Sequence, residues 1–253
     1  MHLVIDSGNT DIVFGIFRNE NLKYQFRINS KANRSAEKIS LKFNNFLKTN
    51  RLRSSDICSV IISNVVPSID HILKTFLKSY TDIKTLWINS DIKLPFKLLI
   101  DNPSEIGPDL IAGTAGALLS NTPPLVIIDM GTATTFLAVN KNKNITGVAI
   151  SPGLMIFTES LYNSIPHLPV VNLEEPVNII GKNTGDSLRS GIFSAYICLI
   201  EGMVTKFKKV LGKNTKVIST GGLSGILKGK TDIIYIFDPD IVIKGLFFLN
   251  RLQ

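Results

Sequence analysis

Two short stretches of this 253-residue chain share one pattern, and that pattern constrains the fold more than any other feature. The first runs over residues 3–10 (LVIDSGNT) and the second over residues 126–135 (VIIDMGTATT). Each has three branched apolar residues, an aspartate, one further residue, a glycine and then small hydroxyl or amide side chains. An apolar run that ends in a glycine turn is typical of a buried β-strand entering a hairpin.

The order of residues at each turn indicates a particular chemistry. Asp6 and Asp129 would lie at strand tips, where a carboxylate can hold a hydrated cation. Gly8 and Gly131 have no Cβ, so backbone N–H groups there can approach an anion closely. A single hairpin of this composition is also an ordinary β-turn. Its recurrence 123 positions later (129 − 6) favours a phosphate-binding hairpin that is present twice.

The elements around the two hairpins repeat as well. Apolar periodicity predicts strands near 3–5, 13–17 and 24–28, and again near 125–128, 135–139 and 145–150. A helix follows each group, the first over 36–48 behind a Ser35 cap. We therefore expect an internally duplicated α/β chain with halves 1–115 and 116–253, divided within a helix at 110–120.

Three further motifs each have a structural and a functional interpretation. Thr220-Gly221-Gly222 follows a strand and is either a left-handed turn or a flat surface for an adenosine. Asp109 precedes a helix of small residues, where it is either a helix cap or a base for an attacking hydroxyl. Thr184 either enters a helix or donates a hydrogen bond to a substrate.

Composition limits the class of protein. The net charge is +8, but the lysines are dispersed and no aromatic residues interleave with them, so we expect neither a nucleic-acid nor a membrane surface. No apolar run reaches the ~18–20 residues of a membrane helix. Cys58 and Cys198 lie in apolar stretches and are expected to be buried free thiols, while His2, His71 and His167 lack metal-ligand spacing.

Taken together, these motifs resemble the type III pantothenate kinase family, within the superfamily of acetate and sugar kinases, Hsp70 and actin. The resemblance extends over nearly the whole chain. It is carried by the following segments: Asp6–Thr10, Asn102–Asp109, Asp129–Phe136, Gly181–Thr184 and Thr220–Gly222.

The resemblance implies a fold and an activity. The fold would be two duplicated ribonuclease-H-like halves, as in actin-like ATPases, with a central interdomain cleft. The protein would be a cytoplasmic homodimer that phosphorylates pantothenate from ATP, the first committed step toward coenzyme A. The implied cofactors are ATP with Mg²⁺ and a monovalent cation, K⁺ or NH₄⁺.

The resemblance also assigns roles to residues. Asp109 would be the general base, Asp6 would organise Mg²⁺, Asp129 would hold the monovalent cation, and Thr184 would contact pantothenate from across the dimer. The residues expected at the nucleotide are Asp6, Ser7, Gly8, Asn9, Thr10, Asp11, Ile12, Val13, Gly131, Thr132, Gly221 and Gly222. The residues expected at the substrate are Ile100, Gly107, Pro108, Asp109, Leu110 and Thr184.

The chain departs from the family pattern on the substrate side. Leu110 stands where the family has Arg, Ile100 where it usually has Tyr, and Val148 where it has Gly. One lost charge-assisted hydrogen bond corresponds to roughly 10- to 150-fold in binding. We therefore expect either weak pantothenate binding or compensation by another residue. Two alternatives stay open: an ATP-binding regulator without turnover, and a kinase for another small alcohol.

Overall fold

The computed structural model describes residues 1–80, 83, 85–234 and 236–253. The strands are β1 (His2–Ser7), β2 (Asp11–Arg18), β3 (Asn21–Asn29), β4 (Ser59–Asn64), β5 (Thr85–Trp87), β6 (Leu125–Met130), β7 (Ala133–Val139), β8 (Ile145–Pro152), β9 (Lys216–Thr220) and β10 (Ile236–Phe237). The α-helices are α1 (Ala36–Thr49), α2 (Asp70–Lys78), α3 (Pro108–Ser120), α4 (Leu154–Ser164), α5 (Thr184–Leu211) and α6 (Ile241–Leu252).

The chain forms two compact units. Unit 1 contains Met1–Asn121 together with Asp240–Gln253, and unit 2 contains Thr122–Pro239. The division that we expected at 115/116 falls inside α3, whereas the units separate after Asn121 and the C-terminal helix α6 belongs to unit 1. The reason is packing, because α3 and α6 lie against each other and a contiguous sequence boundary cannot separate them.

Each unit contains one five-stranded sheet, and the two sheets have the same topology. The strand order is β3-β2-β1-β4-β5 in unit 1 and, read in the same direction, β8-β7-β6-β9-β10 in unit 2. In both, the first three strands in sequence are antiparallel, and the fourth and fifth extend the sheet in parallel on the other side of the first. The expected duplication of an α/β half is confirmed.

One face of the unit 1 sheet is covered by an aromatic core beneath α1 and α2. Ring centroids of Phe14 and Phe26 are 4.6 Å apart in a stacked arrangement, and Phe43 meets Phe76 edge to face at 5.4 Å. The Ser35 cap is confirmed, since its Oγ accepts a hydrogen bond from the Lys38 backbone N–H at 3.3 Å. The β1 side chains Leu3 and Ile5 are buried in this core, which fixes the position of β1.

The opposite face of the unit 1 sheet is covered by α6, which packs against α3 with almost no side chain between the two backbones. A Cβ built on Gly116 would lie 1.9 Å from the Ile241 carbonyl oxygen, and one on Gly245 would lie 1.8 Å from the Ala112 carbonyl oxygen. Only glycine allows this approach. The contact fixes the course of α3 relative to the sheet, and the first turn of α3 carries the candidate base Asp109.

Unit 2 has its core on the α5 side of its sheet. Helix α5 is long and apolar enough to span a membrane by length and composition. In the structure, however, it buries a stripe that includes Ile192, Tyr196, Ile200 and Val204 against β6 and β7, as the core helix of a globular unit does. The Tyr196 hydroxyl and Thr134 Oγ1 are hydrogen-bonded at 2.6 Å within this core.

Two local expectations need correction or qualification. Cys58 and Cys198 are free thiols, but both are exposed rather than buried, because each lies at the outward-facing position of its segment. The apolar run over 233–237 also predicts a strand, of which the structure shows Ile236–Phe237, and Tyr235 lies outside the described residues.

Candidate functional site

The first hairpin is closed by its own glycine. The Gly8 N–H donates to the Asp11 carbonyl at 2.9 Å, so this particular donor serves the turn. Ser30 fixes the turn from the end of β3, since its Oγ donates to the Gly8 carbonyl at 2.7 Å and its N–H donates to the Thr10 carbonyl at 2.8 Å. Asn9 and Thr10 are exposed at the tip. The surface that the turn offers to an anion is therefore the one around Asn9 and Thr10.

The other residues of this segment have different environments. Asp6 is half-buried at the strand end, while the side chains of Ser7, Ile12 and Val13 are buried in unit 1. Asp11 Oδ2 accepts a hydrogen bond from Arg27 Nη1 at 3.1 Å. The buried side chains of Ser7, Ile12 and Val13 would therefore stabilise the turn, and these residues would contact a nucleotide only through their backbone.

The second hairpin repeats the first with one residue fewer. The Gly131 N–H donates to the Ala133 carbonyl at 3.1 Å, the same role that Gly8 has in unit 1. The pair Ser7 and Ile12 encloses four residues (8–11), whereas the equivalent pair Met130 and Thr134 encloses three (131–133). The exposed residue of this shorter turn is Thr132. The two turns are equivalent in strand pairing but not in length.

Asp129 lies in strand register between two threonines that the sequence did not assign to the site. Strand register pairs Asp129 with Thr135 on β7 and with Thr220 on β9. Thr135 Oγ1 is buried and has no hydrogen-bond partner. Paired residues on neighbouring strands project from the same face, so both hydroxyl groups lie on the same face of the sheet as the Asp129 carboxylate. Counting strand partners outward from the two turns would have found both threonines.

The first glycine after β9, Gly221, also packs against Asp129. Gly221 has φ +89°, and a Cβ there would lie 2.4 Å from Asp129 Oδ1 and 2.7 Å from the Met130 nitrogen. The turn is fixed by the Leu223 N–H, which donates to the Met130 carbonyl at 3.1 Å. Gly222 is exposed beside it. Thr220-Gly221-Gly222 is therefore a left-handed turn, as one interpretation held, and it is packed against the second aspartate.

Asp109 is not a helix cap. The N-cap of α3 is Gly107, Pro108 occupies the first turn, and Asp109 lies within the helix. Its Oδ1 accepts the Leu110 N–H at 2.8 Å, and a Cβ on Gly107 would lie only 2.3 Å from the same oxygen. Burial raises the pKa of the Asp109 carboxyl, and this effect outweighs the backbone hydrogen bonds from Leu110 and Asp109 that lower it. A carboxyl of this kind is a candidate acid–base group.

The remaining residues expected at the substrate are divided between the two units. Ile100, Pro108 and Leu110 are half-buried in unit 1, near the start of α3 in sequence. Thr184 is exposed at the first position of α5 in unit 2. Its helix is capped by Asn183, whose Oδ1 accepts the Asp186 N–H at 2.9 Å.

The donor set is compatible with Mg²⁺ bound together with a nucleotide. Within residues 1–80, 83, 85–234 and 236–253, no group of three or more His, Cys, Asp or Glu side chains could hold a metal ion by itself. Mg²⁺ commonly uses one or two carboxylates and takes its other ligands from phosphates and water. Two orphaned hydroxyls support such sites, namely Ser63 Oγ in register with Asp6 and Thr135 Oγ1 in register with Asp129.

Solved structures support the same fold. A Campylobacter jejuni protein proposed to be a Baf family transcriptional activator has a TM-score of 0.61 at 19% identity, covering 99% of this chain and 98% of that one. The activator of the 2-hydroxyisocaproyl-CoA dehydratase from Clostridium difficile, with bound ADPNP, has a TM-score of 0.53 at 14% identity, covering 98% and 92%. The duplicated α/β fold is that of actin-like ATPases and sugar kinases.

Sequence comparison identifies the family. A type III pantothenate kinase from Listeria welshimeri is 37% identical over 251 residues, which covers 99% of this chain and 97% of the relative. The sequence model described as type III pantothenate kinase matches residues 2–206. That match includes both aspartate hairpins, the segment before α3 and the start of α5. The chain belongs to the type III pantothenate kinase family.

Proposed function

We propose that this protein transfers the γ-phosphoryl group of ATP to pantothenate and forms 4′-phosphopantothenate, the first step of coenzyme A biosynthesis. Membership of the family makes it a small-molecule kinase that uses ATP and a divalent metal. The observation that carries the proposal is Asp109, a carboxyl with a raised pKa held at the start of α3. It lies in the same unit as the Asp6 turn.

Different residues would have different roles in an in-line phosphoryl transfer. The pantothenate hydroxyl oxygen bonds to the γ-phosphorus as the bond to the β–γ bridging oxygen breaks, and ADP leaves. Asp109 accepts the hydroxyl proton. Positioning and charge neutralisation supply most of the catalysis in such reactions. Asn9, Thr10 and Thr132 would hold the phosphates, and Gly221 and Gly222 would face the adenosine.

Asp6 and Asp129 would be the residues that hold the ions. Asp6 at the end of β1 would hold Mg²⁺ through its hydration shell, and a bound Mg²⁺ would neutralise charge on the phosphates. Asp129 would hold K⁺ or NH₄⁺. Its neighbours support this role, because Thr135 Oγ1 is an orphaned buried oxygen and Thr220 is paired on the other side. Oxygen atoms suit both ions, since they can coordinate K⁺ and accept hydrogen bonds from NH₄⁺.

A homodimer would complete the substrate site through Thr184 of the partner subunit. The segment of unit 2 that precedes Thr184 has several strongly exposed apolar side chains, namely Val170, Val177, Ile179 and Ile180. Exposed apolar patches of this kind often mark interaction sites. A monomer in analytical ultracentrifugation at micromolar concentration would contradict the dimer.

The two free thiols are compatible with a reducing, cytoplasmic location.

The test is pantothenate-dependent ADP formation, followed by mass spectrometry of the product. With Mg²⁺ and K⁺, we expect one ADP for each 4′-phosphopantothenate, lower rates when Na⁺ replaces K⁺, and a high KM for pantothenate because Leu110 and Ile100 replace the family's polar residues. ATP binding without pantothenate turnover would favour the regulator instead. Turnover with a different alcohol in a substrate panel would favour another kinase activity.

A further inference from the structure

The hydroxyl of Ser63 is buried and has no hydrogen-bond partner. Ser63 is 0% exposed at the end of β4, and its Oγ is among the orphaned polar atoms of the described residues. Buried polar side chains in folded proteins nearly always have a hydrogen-bond partner, so an exception calls for an explanation. One explanation is that the Ser63 hydroxyl acquires its hydrogen-bond partner only when a ligand binds.

The position of Ser63 in the sheet identifies that ligand. β1 and β4 are parallel, and their register pairs Asp6 directly with Ser63. Neighbouring strands are about 4.8 Å apart and paired residues share a face, so rotation about χ1 brings the hydroxyl within reach of the carboxylate. Two residues earlier on this face, the paired residues are Val4 and Ile61, both fully buried. The face changes from apolar to polar at the strand ends, where Asp6 and Ser63 lie.

Unit 2 repeats the arrangement. β6 and β9 correspond to β1 and β4, and their register pairs Asp129 with Thr220. Thr220 is 2% exposed. Each half of the duplication therefore places one buried hydroxyl on the parallel strand beside its strand-tip aspartate.

We propose that Ser63 is a positioning residue for the magnesium–nucleotide complex. Its hydroxyl donates a hydrogen bond to the Asp6 carboxylate when that carboxylate engages hydrated Mg²⁺, and this bond fixes the orientation of Asp6. Such outer-shell partners orient the groups that hold a metal. The inference rests on the proposed function only in taking Asp6 as the residue that holds Mg²⁺.

The experiment compares nucleotide affinity with and without the metal. Isothermal titration of the full-length Ser63→Ala protein with ADP should show about tenfold weaker binding in Mg²⁺ and unchanged binding in EDTA. Ser63→Cys keeps a similar shape with a weak donor and should show the same metal-specific loss. Ile61→Val removes one buried methylene from the same face of the same strand, and it should bind like wild type in both buffers.

Each other result overturns the inference. Equal losses in Mg²⁺ and EDTA, no loss in either Ser63 variant, or the same loss in Ile61→Val would show that Ser63 has only a packing role. The wild-type titration separates this outcome from failure of the proposed function. If wild type binds ADP more tightly in Mg²⁺ and only the Ser63 result fails, the kinase proposal stands. If wild type shows no Mg²⁺-dependent binding, both fail.

Discussion

Replacing Asp109 with Asn is expected to lower kcat about 10²- to 10⁴-fold, the range associated with loss of a general acid–base group. The amide has nearly the same shape and can still accept the Leu110 N–H, but it cannot take the proton from the attacking hydroxyl. ATP affinity should stay near the wild-type value, since the phosphate contacts are assigned to other residues. Coupled ADP release measures the first effect, and calorimetric titration measures the second.

The same substitution is expected to stabilise the protein at neutral pH. The pKa of Asp109 is raised in the folded state, so the folded protein holds this proton more tightly than the unfolded chain does. The ionised carboxylate therefore lowers the free energy of unfolding above the folded pKa, and this penalty is absent below the unfolded pKa. The gain in Tm for Asp109→Asn should shrink as the pH falls through the folded pKa. The wild-type kcat should fall over that same pH range.

Asp91→Asn is the matched control, because it removes one carboxylate at an exposed position. Its kcat and Tm should both equal those of wild type. An Asp109→Asn protein with more than one tenth of wild-type kcat would contradict the role of Asp109 as the base. Loss of ATP binding in that protein would instead indicate that Asp109 holds the nucleotide site together.

Gly116→Ala is expected to destabilise unit 1 strongly. Its Cβ would lie 1.9 Å from the Ile241 carbonyl oxygen and 3.1 Å from the Gly245 nitrogen, and both are backbone atoms that no rotamer change can move. Helix α6 would have to shift away from α3, at a cost of about 3 kcal/mol or more. For a chain of this size, that corresponds to a fall in Tm of roughly 6–12 °C, measured by scanning calorimetry.

Gly113→Ala is a control that adds the same methyl group to the same helix. Its Cβ would lie 3.8 Å from Val242 Cγ2, an ordinary contact. Alanine favours helix over glycine by about 0.8–1 kcal/mol, so this variant should be more stable than wild type. Opposite signs of the two Tm changes are the expected result. Two changes of the same sign would mean that close packing of α3 on α6 does not determine the stability of unit 1.

The sequence predicted the fold best where a short motif is compatible with few local structures. The repeated Asp-x-Gly turns predicted the duplicated sheets, because an apolar strand ending in such a turn has one natural place in an α/β fold. The unit boundary could not be found in this way, since it depends on glycines 116 and 245 meeting across about 130 residues of chain. Ser63 and Thr135 were missed because only the strand register makes them neighbours of the aspartates, and the sequence does not specify that register.

We expect ATP binding to need both strand-tip aspartates, Asp6 and Asp129. Calorimetric titration of ATP into wild type, Asp6→Asn and Asp129→Asn, in buffer with Mg²⁺ and K⁺, tests it most directly. We predict one ATP per wild-type chain and a loss of roughly tenfold or more in ATP affinity for either variant. Two ATP molecules per wild-type chain, or wild-type affinity in either variant, would contradict the account.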